Sequence, residues 1–96
     1  MGKLEGKVAV ITGSTRSIGR AVAEAYIAEG AKVVVSGRSE EKGQNALDEM
    51  NAGENAHFIA CDAGKQSEVE ALIDGTVEHF GRLDIAVLNA GGIIGA

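Results

Sequence analysis

Cationic charge, aromatic rings, cysteine and long apolar runs are all scarce in this 96-residue chain, and each scarcity removes a class of function. Nine Lys and Arg face fourteen Asp and Glu, a net charge of −5. Nucleic-acid binding needs the opposite balance, because phosphates must be met by a cationic excess. Tyr26, Phe58 and Phe80 are the whole aromatic complement, too few for a base-stacking surface. Cys61 has no second cysteine to pair with, which fits a reducing, cytoplasmic setting. No apolar run approaches the ~20 residues of a membrane span. The opening Met1 to Gly6 has no hydrophobic signal core, and Gly6 breaks the myristoylation pattern. The expectation is a single cytoplasmic domain with neither membrane nor nucleic acid as partner. Its core should be thin, since a chain of this length buries only roughly 60–65% of the surface it exposes when unfolded.

Glycine, by contrast, is abundant: 14 residues, about twice average usage. Between the glycines, two kinds of apolar segment alternate. Val8-Ala9-Val10-Ile11 and Val33-Val34-Val35 are short continuous runs, as strands buried on both faces should be. His57 to Cys61 and Ile85 to Leu88 predict two further strands. Ile18, Val22, Ala25 and Tyr26 follow helical spacing, with Gly30 as the stop. Ser39 is placed to cap a second helix, with Glu40 and Glu41 in its first turn, Ala46, Leu47 and Met50 inward, and Gly53 at its end. A third helix has Val69, Leu72, Ile73, Val77 and Phe80 on one face and Gly81 after it, with Ser67 and Glu70 as a capping box. The order β-α-β-α-β-α-β with short connections predicts an α/β fold: a Rossmann-type, doubly wound parallel sheet in the order 3-2-1-4, of which this is the first half. Two helices should cover one face and the third helix the other.

The first strand runs straight into Thr12-Gly13-Ser14-Thr15-Arg16-Ser17-Ile18-Gly19, which opens the first helix. A helix start offers free N–H groups and the positive end of the dipole, and glycine lets backbone approach a phosphate. Gly13 suits the tight turn and Gly19 the packing of helix on strand. Three readings fit these residues: a dinucleotide pyrophosphate site, a flavodoxin-like loop using Ser14, Thr15 and Ser17, or a plain turn. A P-loop is excluded, because no Gly-Lys-Ser/Thr follows.

Taken together, three features resemble the amino-terminal, cofactor-binding half of the short-chain dehydrogenase/reductase family, over essentially the whole chain. They are the turn Thr12 to Gly19, Asp62 after the third strand, and Asn89-Ala90-Gly91 after the fourth, preceded by Gly81-Arg82-Leu83-Asp84. Ser17 departs from the family's usual glycine, adding a side chain and a hydroxyl able to donate to phosphate. The resemblance implies that Gly13, Thr15, Ser17 and Ile18 surround the pyrophosphate and adjoining ribose. It implies that Asp62 and Ala63 meet the adenine, and that Asn89, Ala90 and Gly91 line the adenine-side ribose and steady the sheet.

An NAD enzyme usually has Asp or Glu at the end of the second strand, about 20 residues past the glycine turn, for the ribose 2′-OH. Here that place holds Ser36-Gly37-Arg38. Arg38 from one side and Arg16 from the other are suited to a 2′-phosphate, which favours NADP(H) over NAD(H). The family's catalytic Tyr, the Lys four residues later, and its Ser have no match here. Tyr26 is followed at that distance by Gly30 and sits on an apolar helix face. His57, His79 and Cys61 lack metal-ligand spacing. The expectation is therefore a partial NAD(P)-binding domain over 1–96, inactive alone, from an oxidoreductase interconverting alcohol and carbonyl. Its expected partners are the dinucleotide, a carboxyl-terminal half that would cover the fourth strand's edge, and further copies of the complete subunit. The rivals are a non-catalytic cofactor-sensing module and a ligand-free structural half-domain.

Overall fold

In a computed structural model, residues 2–13, 17–62 and 64–88 are described, Ser17 and Ile18 by their backbone. Four strands and three helices alternate: β1 (Val8–Ile11), α1 (Ser17–Ala28), β2 (Lys32–Gly37), α2 (Glu40–Met50), β3 (Ala56–Ala60), α3 (Gln66–Phe80) and β4 (Ile85–Val87), with a 3-10 turn at Gly53–Asn55 before β3. The strands form one sheet in the order β3-β2-β1-β4, parallel throughout. This is the topology the alternating apolar pattern predicts.

Side-chain alternation in the strands divides the core into two layers. Ala9, Ile11, Val33, Val35 and Phe58 face α1 and α2, against Ala23, Val22, Leu47 and Met50. Val10, Val34 and Cys61 face α3, against Leu72 and Val69. Because both faces are covered, β1 and Val33 to Val35 are buried without interruption. Each such Val or Ile stabilises the fold by about 1.5–3 kcal/mol relative to exposure.

Local chemistry accounts for the helix ends, with some differences from the sequence expectations. Ser39 caps α2 as expected, its hydroxyl accepting from the Lys42 N–H. That helix stops before Gly53, because Asn51 adopts the left-handed conformation (φ 53°) and donates its N–H to the Leu47 carbonyl. Asparagine tolerates that region better than other side-chain-bearing residues. The Ser67–Glu70 capping box is absent: α3 begins at Gln66, so Ser67 already lies inside the helix. β3 runs one residue earlier than expected, from Ala56 to Ala60. Gly81 (φ 86°) ends α3 as expected.

Two helix faces are rotated from the expected ones. Ala25 is exposed and Ala23 fully buried in α1. In α3 the inward row runs Leu72, Thr76, Phe80, leaving Val77 exposed. Thr76 can be buried there because its hydroxyl donates to the Leu72 carbonyl at 2.8 Å.

Gly43 sets the distance of α2 from the sheet. An added Cβ would lie 2.3 Å from ring carbons of Phe58. Overpacking of about 1–3 kcal/mol should exceed the roughly 1 kcal/mol of helix propensity gained, so Gly43→Ala should lower the thermal midpoint. At Gly75 the added Cβ would meet Ile59 Cδ1 at 3.0 Å, the movable tip of a side chain. Gly75→Ala should leave the midpoint unchanged or raise it. Equal losses at both positions in thermal melts would contradict this packing account.

Candidate functional site

Parallel strands bring all their carboxyl ends to one edge of the sheet, and the candidate residues collect there. β1 ends in Thr12, which is buried and donates its N–H to the Val87 carbonyl at 3.0 Å. Gly13 follows with φ 61°, a left-handed conformation that glycine adopts without a Cβ penalty. The chain then enters α1 at Ser17, with Gly19 buried one turn in. The first turn of α1 contains no carboxylate, whereas α2 has Glu40 and Glu41 there and α3 has Glu68. The positive end of α1 is thus the one that no acidic residue of its own first turn offsets.

Along the same edge, β2 ends at Gly37 beside Ala60 of β3, and the Cys61 N–H continues the ladder to the Gly37 carbonyl at 2.9 Å. Arg38 and Asp62 therefore leave neighbouring strands at the same level. Arg38 is exposed and has no ion pair among the described residues. By contrast Arg20 pairs with Glu24 within α1 and with Glu49 of α2. Asp62 accepts the Gly64 N–H on Oδ1 at 2.9 Å, and among the described residues no donor reaches Oδ2. Of the residues expected from sequence, Gly13, Arg38, Asp62 and the start of α1 come together here. Thr15, Arg16, Ala63, Asn89, Ala90 and Gly91 lie outside the described residues, as do the side chains of Ser17 and Ile18.

Cys61 and Tyr26, near or behind this edge, have other roles. Burial pushes the Cys61 thiol up, with Ser36 acting against it and the charges of Glu68 and Asp62 adding to it. A raised thiol is a poor nucleophile. Tyr26 packs against the core layer under α1. At the opposite edge, the rings of His57 and His79 stack at 3.8 Å, and burial first, then the charge of His79, lower the His57 pKa. Among the described residues no group of three or more His, Cys, Asp or Glu is placed to hold a metal. No helix among them is long and apolar enough to cross a membrane.

Asp84 braces the amino end of β1, a role the sequence did not disclose. Its Oδ2 accepts the Val8 N–H at 2.9 Å, and Arg82 grips both carboxylate oxygens, at 2.9 and 2.7 Å. Arg82 first, and then the Val8 N–H, hold the Asp84 carboxyl below the usual carboxylate range. A depressed folded-state pKa gives stability that is present above the unfolded value of about 3.9 and lost as pH falls through the folded value. Acid titration should therefore show an unfolding component below about pH 4 that Asp84→Asn removes. An unchanged acid limb in the variant would show that the brace contributes nothing.

A parallel 3-2-1-4 sheet, helices on both faces, and a glycine turn between β1 and α1 define a Rossmann-type nucleotide-binding fold. Residues 7–96 match the family described as short chain dehydrogenase, and the chain belongs to that family of NAD(P)-binding oxidoreductases. It is 44% identical over 97 residues to the 3beta-hydroxysteroid dehydrogenase of Mediterraneibacter gnavus, covering 100% of this chain and 35% of that protein. The 3-ketoacyl-(acyl-carrier-protein) reductase of Brucella melitensis, solved with NADH, superimposes with a TM-score of 0.80 at 34% identity, over 88% of this chain and 34% of that one. A variant of actinorhodin polyketide ketoreductase, solved with NADPH, gives 0.84 at 38% identity, over 96% and 36%. The chain thus spans about a third of the length of the relatives it matches.

Proposed function

We propose that this chain binds NADP(H) in preference to NAD(H) across the carboxyl edge of its sheet, as the dinucleotide-binding part of an oxidoreductase interconverting an alcohol and a carbonyl. The observation that carries the preference is Arg38. It stands exposed at the end of β2, without an ion pair among the described residues, where a carboxylate would select the ribose 2′-OH of NAD. A 2′-phosphate suits the forked donors of a guanidinium. Arg16 is proposed as a second donor to the same phosphate.

The residues present fit such a cofactor. Gly13 in its left-handed conformation gives a pyrophosphate close access to backbone, and the uncompensated start of α1 attracts its charge. Thr15, Ser17 and Ile18 complete that cradle in this reading. Asp62 Oδ2, which no donor reaches among the described residues, accepts from the adenine amine, with Ala63 beside the ring, while Asn89, Ala90 and Gly91 border the ribose. When bound, the nicotinamide supplies or receives the hydride. This chain's own residues bind and orient the dinucleotide.

Within these 96 residues the only tyrosine is Tyr26, which is packed against the core and has Gly30 four positions on. The proton-transferring Tyr and its Lys are accordingly proposed to lie in other sequence of the whole subunit. The same sequence would cover β4 and Leu88, the residue after it, which is 62% exposed. A homo-oligomer of complete subunits is part of the proposal. Titration with NADPH and NADH in parallel tests the binding reading: tighter NADPH supports it, and equal or absent binding contradicts it.

A further inference from the structure

We propose that Glu68 is a positioning residue for adenine recognition, acting through Asp62. The inference rests on the reading of Asp62 as the acceptor for the adenine amine. A glutamate at the third position of a helix ordinarily turns back to the N-cap N–H. Glu68 holds that position in α3, whose N-cap is Lys65, yet its carboxylate passes Lys65 and accepts the Asp62 N–H at 2.7 Å. Two further bonds hold the same residue. The Asp62 carbonyl accepts the Lys65 N–H at 2.9 Å, and Asp62 Oδ1 accepts the Gly64 N–H at 2.9 Å.

The N–H, the carbonyl and one carboxylate oxygen of Asp62 are thus all committed within the protein. With backbone and Oδ1 both fixed, the direction of Oδ2 is set before any ligand arrives. An acceptor held in place binds its donor without first losing side-chain freedom. Apart from the Asp62 carboxylate itself, Glu68 is the one side chain in this set of bonds, and it ties the end of β3 to α3.

The test compares affinity for NADPH with affinity for its hypoxanthine analogue, in which a carbonyl replaces the adenine amine. Asp62 Oδ2 accepts from the amine and repels the carbonyl, so the unaltered protein should prefer NADPH. Glu68→Ala should reduce that preference about three- to tenfold, the effect of one charge-assisted hydrogen bond spread over a less ordered acceptor. Glu68→Gln should restore most of it, because the amide oxygen accepts the same N–H. Asp62→Asn should remove it. Loss of preference in Asp62→Asn but not in Glu68→Ala would overturn the role of Glu68 and leave Asp62 standing. No preference in the unaltered protein, or none lost in Asp62→Asn, would overturn the Asp62 reading and this inference with it. A parallel weakening of both ligands in Glu68→Ala, with a lower thermal midpoint, would make Glu68 merely structural.

Discussion

Gly13→Val is expected to weaken binding of NADPH and NADH alike by a hundredfold or more, about 2.7 kcal/mol, while the chain still folds. Two effects add. The φ of 61° at Gly13 costs an L residue about 1–2 kcal/mol, and a β-branched residue more. The protein relieves that strain by moving the turn, and the turn is where backbone must approach the pyrophosphate. A valine side chain also adds bulk at the turn proposed to cradle the pyrophosphate. Thr12, by contrast, stays anchored to β4 through its N–H on the Val87 carbonyl, so the sheet beneath is retained. The thermal midpoint should fall by roughly 4–8 °C per kcal/mol of strain, as in other domains of this size. Calorimetric titration and thermal melts on one preparation separate the two effects. Lost stability with unchanged affinity would mean that the turn serves only the fold.

The second large effect is expected at Arg38. Arg38→Asp removes a forked cation and places a carboxylate where NAD-selective sites have one. One hydrogen bond to a charged group is worth about 1.5–3 kcal/mol, so NADPH should bind roughly ten- to a hundredfold more weakly. NADH, which has a 2′-OH to donate, should bind as well as before or better. Salt separates the mechanisms: the NADPH advantage of the unaltered protein should shrink as ionic strength rises, because Arg38 is exposed and screening reaches it. If NADPH and NADH weaken equally in the variant, Arg38 is a general surface charge and not a selector.

The sheet was legible in the sequence because its determinants are local and repetitive. Val8 to Ile11 and Val33 to Val35 are buried on both faces, so each reads as an uninterrupted apolar run. The helix that must follow each strand is marked by Gly30, Ser39 and Gly81 at its ends. Side-chain facing was less legible. Thr76 replaced Val77, because a helical period of 3.6 leaves two adjacent candidates for one inward position. Ala23 follows Val22 on the inward face of α1, whereas Ala25, two positions further on, points to the other side of the helix. A buried threonine satisfied by its own helix carbonyl looks polar from sequence. The end of α2 differs from the expected one for a similar reason: glycine is the usual stop signal, and Asn51 supplies the left-handed residue two positions before Gly53.

In the candidate site, Gly13 and Arg38 stand out by their positions after strands and Asp62 by the resemblance to the family, and the parallel sheet brings all three to one edge. The carboxylates that hold backbone across distance are not legible in the sequence. Asp84 reaches the Val8 N–H, 76 residues away in sequence, and Glu68 reaches back past its own N-cap to Asp62. Neither bond leaves a spacing rule in the chain, since each depends on where two elements end relative to each other.

The most direct test of the central claim is a parallel calorimetric titration of the protein with NADPH and NADH at low ionic strength. Both should bind saturably, with NADPH tighter by about tenfold or more, the worth of one guanidinium–phosphate contact. Tighter binding of NADH, or no heat from either ligand under conditions where the chain is folded, would contradict that claim.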